Sequence, residues 1–156
     1  MAGWQNDVPD TGSQEEDMRQ RLNLILLGVR DVAASVAFYQ ALGWRRSTAG
    51  SDEFALFELG GVAVAFQSRE AFAADAGLPD REPGGFAGFA LAYVARSAEE
   101  VYQVMAKAAE LGATVTRPAG PNPWGHSGYF TDPDGHLFEV LYEDGWIFDE
   151  HDDLVL

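Results

Sequence analysis

Residues 21–43 read RLNLILLGVRDVAASVAFYQALG, and residues 86–112 follow the same grammar as FAGFALAYVARSAEEVYQVMAKAAELG. In the first stretch an apolar run bounded by charge gives way to Val32, Val36, Tyr39 and Leu42 at helical spacing, so a strand hands over to a helix. Asp31 stands where a side-chain oxygen can accept a free N–H of the first turn, and Gly43 supplies the left-handed residue that ends the last. In the second stretch Ser97 and Glu100 have the spacing of a capping box. Val101, Val104, Met105, Ala108 and Leu111 share one face of that helix, and Gly112 stops it. Val29 corresponds to Val94 and Leu42-Gly43 to Leu111-Gly112, so one strand-helix unit occurs twice.

Each unit continues into strands. WRRSTA (44–49), EFALFELGG (53–61) and VAVAFQS (62–68) have strand character, with Gly60 and Gly61 as the hairpin turn. REAFAADAGLPDREPGG (69–85) reads as a short helix and a linker. After PAGPNPWGHS (118–127), read as a proline-rich loop, SGYFTD and HLFEVLYE are strands joined by Asp132-Pro133-Asp134-Gly135, with Gly135 supplying positive φ. The expected organisation is an acidic N-terminal tail over 1–20, one domain over 21–148 with modules at about 21–83 and 84–148, and an acidic C-terminal tail over 149–156. The tail residues 1–20 are too polar to offset their ordering entropy.

Composition limits the partners. At 156 residues and 47% hydrophobic the chain suffices for one core. A net charge of -15 argues against nucleic acid and anionic membranes, which need a basic footprint. With no cysteine there are no disulfides, thiolate nucleophiles or thiolate metal sites, and no apolar run approaches the ~20 residues of a membrane span. The expected location is the cytoplasm.

GVRDVAASVAFYQALGW (28–44) followed by GYFTDPDGHLFEVLYE (128–143) resembles the vicinal oxygen chelate superfamily, which includes glyoxalase I, extradiol dioxygenases and bleomycin resistance proteins. The likeness runs over residues 21–148. It implies an α+β fold in which two tandem βαβββ modules form a curled mixed sheet around a cleft, with helices outside. It also implies a divalent metal held from the first and last strands of each module. If Ile25, Leu27 and Val29 pack on the helix, then Leu24, Leu26 and Gly28 face the cleft, and the family's first ligand position falls on Leu24. The same parity turns Phe89, Leu91 and Tyr93 to the cleft, with the next ligand position on Phe89. Pairing Gly61 with Gly135 aligns Ala65 with Glu139, so Glu139 alone keeps a donor. Since such metals take about three His or carboxylate ligands, the expectation is no cofactor and no metal.

Glu139, set among Leu137, Phe138, Val140 and Leu141, is the foremost site residue. It reads as a desolvated base, acid or ligand anchor, or else as a remnant satisfied by a neighbouring hydroxyl or amide. His126 is the histidine placed for chemistry, from a loop at the cleft mouth; His136 and the DPDG turn read as structural, and His151 lies in the acidic tail. Phe89, Tyr93, Trp124 and Tyr129 are the aromatic candidates for a pocket, with burial of Trp124 against the protein's own tail as the alternative. Trp146, Ile147 and Phe148 either cap the core or contact a second copy in a homodimer.

The function expected is metal-independent binding of a small aromatic or amphipathic molecule. The alternative is a lyase, isomerase or dioxygenase of the same superfamily using Glu139 with His126, with or without a divalent metal. A third reading, a scaffold whose acidic tail binds a basic partner, rests on residues 1–20 alone.

Overall fold

The computed structural model describes residues 17–82 and 84–156, so most of the expected N-terminal tail lies outside the described residues. The first module contains β1 (Leu24–Val29), α1 (Val32–Leu42), β2 (Phe54–Glu58) and β3 (Ala63–Ser68), followed by α2 (Arg69–Asp75). The second contains β4 (Leu91–Val94), α3 (Ala98–Glu110), β5 (Thr114–Asn122), β6 (Gly125–Thr131) and β7 (Leu137–Glu143). Each builds its own mixed sheet, ordered β1-β3-β2 and β4-β7-β6-β5, with first and last strands parallel and the rest antiparallel. The sheets do not close on each other.

The helix ends follow the expected chemistry. Asp31 accepts the Ala34 amide at 3.1 Å, and Gly43 sits at φ 118°. Ser97 accepts the Glu100 amide at 3.1 Å while Glu100 reaches back to the Arg96 amide at 2.8 Å. Gly60 and Gly61 have φ of 69° and 81°, the paired positive values that a tight hairpin needs.

Three segments depart from expectation. WRRSTA forms no strand, because the Trp44 amide completes the cap of α1 on the Tyr39 carbonyl and its ring turns back to stack on Tyr39. The Ser47 amide bonds the Leu56 carbonyl and Gly50 forms a single bridge to Ala55, which is all the pairing this segment makes with β2. PAGPNPWGHS is mostly strand: β5 is the outer strand, where prolines are tolerated, and it absorbs two register shifts, one of them around Pro118. Residues 147–155 form a small hairpin of β8 (Ile147–Phe148) and β9 (Leu154–Val155). Arg96 anchors it by an ion pair with Asp152 and by lying over the Phe148 ring.

One core serves both modules. Leu27, Val29, Phe57 and Phe66 from the first sheet meet Phe130, Phe138 and Val140 from the second, with α1 and α3 contributing Tyr39, Val101 and Met105. Tyr39 stacks on Phe66 at 4.9 Å between centroids and lies 5.8 Å from Phe138. The DPDG turn clamps this junction from the second module. Asp134 accepts the Arg30 amide at 3.0 Å and the Ser35 hydroxyl at 3.1 Å, and Asp132 accepts the Tyr39 hydroxyl at 2.6 Å. The faces opposite this core are therefore left open, and on the first sheet Leu24 and Leu26 remain 47% and 40% exposed.

Candidate functional site

The open face of the second sheet carries Glu139. Strand register sets Ala92 of β4 on one side of it and Tyr129 of β6 on the other, with Arg117 of β5 beyond Tyr129. Leu137 and Leu141 lie two residues either way along β7 and share its face. Burial raises the Tyr129 hydroxyl above its ordinary pKa, the neighbouring Glu139 carboxylate adds to the rise, and Arg117 opposes it. A carboxylate and a protonated phenol thus sit side by side.

The linker between modules borders this face, and an open cleft of about 960 Å³ lies between them. Phe86 and Phe89 from the linker, Thr116, Tyr129, Thr131 and Leu137 from the sheet, and His136 from the turn line it. Arg69 at its edge is held by Asp80 at 2.7 Å and by the Arg81 carbonyl. The His136 ring is pinned by its Nδ1 to Asp132 at 2.9 Å. Asp132 also accepts the amides of Asp134 and His136, besides the Tyr39 hydroxyl. Burial pushes the Asp132 pKa up, but the hydrogen bonds and charge of His136, with the Tyr39 hydroxyl, outweigh it and leave the group below the ordinary carboxylate range. Tyr39 itself is raised far above the usual phenol value, by burial first and then by Asp132.

The other sequence candidates fall elsewhere. His126 pairs with Tyr142 across β6 and β7 and meets the Tyr102 hydroxyl of α3 at 3.2 Å. It lies three residues from Tyr129 on one strand, so it faces the opposite side of the sheet from Glu139. Tyr93 is also reversed: β4 pairs Leu91 with Phe138 and Tyr93 with Val140, which turns both toward the core and gives Ala92 and Val94 to the Glu139 face. Its hydroxyl bonds Glu100 and is pushed up to about 12 by burial and then by that carboxylate, with Arg96 opposing. Phe89 reaches the cavity from the linker, outside β4. Trp124 is at the β5–β6 hairpin tip, 67% exposed and outside the lining of the cavity; most of the tail lies outside the described residues. Leu24 stands on the open face of the other sheet with Leu26, whose partner on β3 is the fully buried Ala65. His136, read from sequence as structural, both ties down the turn and lines the cavity; the acid four residues before it was the available signal.

The donors fit a divalent metal poorly. Leu24, Ala65 and Phe89 offer no ligand atom, and among the described residues no group of three or more His, Asp or Glu side chains comes close enough to hold an ion. Among the described residues no helix is long and apolar enough to cross a membrane.

A family model described as the Glyoxalase/Bleomycin resistance protein/Dioxygenase superfamily matches residues 21–140. Among solved structures, a glyoxalase-related enzyme from Fulvimarina pelagi is 28% identical, with a TM-score of 0.78, covering 88% of this chain and 98% of its own. A glyoxalase/bleomycin resistance protein/dioxygenase from Nocardioides is 27% identical, with a TM-score of 0.67, covering 85% and 90%. Lactoylglutathione lyase from Agrobacterium tumefaciens, at 22% identity and a TM-score of 0.57, covers 79% and 93% and shares the fold. A search of curated proteins finds no match.

Proposed function

This chain belongs to the glyoxalase/bleomycin resistance protein/dioxygenase superfamily, and we propose that it binds a small aromatic or amphipathic molecule, without a metal, on the open face of its second module. The observation that carries this is the cavity of about 960 Å³, a volume suited to a small organic ligand. Phe86, Phe89 and Tyr129 supply flat apolar surface, and the Tyr129 hydroxyl, Thr131 and His136 supply polar groups to orient the guest; Glu139 lies outside the lining, beside Tyr129. The loss of donors at three of the family's four ligand positions supports metal independence. A second copy covering Leu24 and Leu26 accounts for the apolar face left open on the first sheet.

The test is a fluorescence titration with N-phenylnaphthylamine, an uncharged aromatic probe. Enhancement is expected with or without EDTA, and Phe89→Ala should weaken it. Enhancement that disappears with EDTA and returns with a divalent ion overturns the reading.

The enzyme reading keeps one specific support, the adjacency of Glu139 and Tyr129. A carboxylate can take a proton next to a carbonyl while a neighbouring phenol donates a hydrogen bond to the enolate oxygen. His126 has no part in that arrangement, since it faces away. Deuterium wash-in to the glutathione adduct of methylglyoxal, lost in Glu139→Gln, would favour it over simple binding.

A further inference from the structure

A second cavity, of about 480 Å³, lies on the other side of the second sheet, between the modules. It exists because α1 stops at Leu42, Gly43 reverses the chain, and Trp44 folds back on Tyr39 instead of filling the gap toward α3. Its walls are Trp44, Tyr39 and Leu42 from the first module, and Tyr93 and Phe138 from the second. Gln103, Val104 and Lys107 of α3 form the remaining side.

The polar groups here are unevenly used. Both oxygens of Glu100 are occupied, one by the Tyr93 hydroxyl and the other by the Arg96 amide. The Gln103 amide donates to Glu99 at 3.1 Å. The Lys107 ammonium makes no ion pair or hydrogen bond among the described residues, although it is the only lysine in the sequence. Flat aromatic walls with one uncommitted cation at the edge match a planar ring that carries an anion. The geometry points to a second ligand site at the module junction, which takes an aryl carboxylate with its ring against Trp44 and Tyr93 and its carboxylate on Lys107. The net charge of -15 repels anions at long range, so affinity at this site comes from local contact.

Calorimetric titration of the full chain with naphthoate, and with uncharged naphthamide as the control, tests the assignment. Lys107→Gln should weaken naphthoate by roughly tenfold or more, the worth of a charge-assisted bond, and leave naphthamide unchanged. Val104→Phe, which fills the cavity, should weaken naphthoate, while Ile147→Ala, exposed and outside both cavities, should not. Equal affinity of naphthoate for wild type, Lys107→Gln and Val104→Phe, or no binding at millimolar concentration, would overturn it. N-phenylnaphthylamine titration of Phe89→Ala tests the first cavity separately, so failure of this site is distinguishable from failure of the other.

Discussion

Replacing Tyr39 by Phe removes one oxygen from the junction between the modules and keeps the ring that stacks on Phe66 and Trp44. The lost contact is a 2.6 Å hydrogen bond to Asp132, a carboxylate only 4% exposed. Bonds to charged groups contribute about 1.5–3 kcal/mol, so the variant should lose about that much in urea unfolding at neutral pH. The pH dependence identifies the cause. Asp132 has a depressed folded pKa, so its contribution is complete above the unfolded value of 3.8 and fades as pH falls below that toward the folded one. Tyr39→Phe removes one source of the depression, and the gap from wild type should narrow in acid. Tyr39 is shifted upward, so the wild type should lose stability as pH rises past the unfolded value of 10.0, and the variant should lack that share of the alkaline loss. A variant within about 0.5 kcal/mol of wild type, or a gap constant from acid to alkali, would refute the clamp.

Other consequences are as specific. Glu139→Gln removes the charge beside Tyr129, and one phenolate should then appear at lower pH in an ultraviolet difference titration. His126→Ala should leave N-phenylnaphthylamine affinity unchanged, because the ring faces α3 and not the cavity. A Cβ at Gly128 would meet the flexible end of Met105 at 3.0 Å and the Ala119 backbone at 3.1 Å, so Gly128→Ala should cost about 1–3 kcal/mol in thermal or urea unfolding by pressing on the β5 backbone.

What the sequence made legible was local chemistry. Asp31, Ser97 and Gly43 announce their helix ends because a cap needs only the residues beside it. Gly60, Gly61 and Gly135 announce turns for the same reason. The face of β4 was not legible, since FALAYVA (89–95) has no polar alternation and a four-residue strand takes its register from its partner. Asp132 and Asp134 looked like turn residues and are, but their side chains also bind Tyr39 and Arg30, 93 and 104 residues earlier in the chain. That long-range clamp decides which faces of the two sheets share a core, and hence which remain open for the site. The placement of His126 was hidden by reading residues 118–127 as a loop, when the prolines merely mark an outer strand.

Native mass spectrometry of the protein as purified, before and after EDTA, decides whether binding is independent of a metal. The same spectrum is expected in both cases, with no stoichiometric divalent ion, and a mass increase when N-phenylnaphthylamine is added to the EDTA-treated protein. A stoichiometric divalent ion that EDTA removes, together with loss of probe binding, would contradict it.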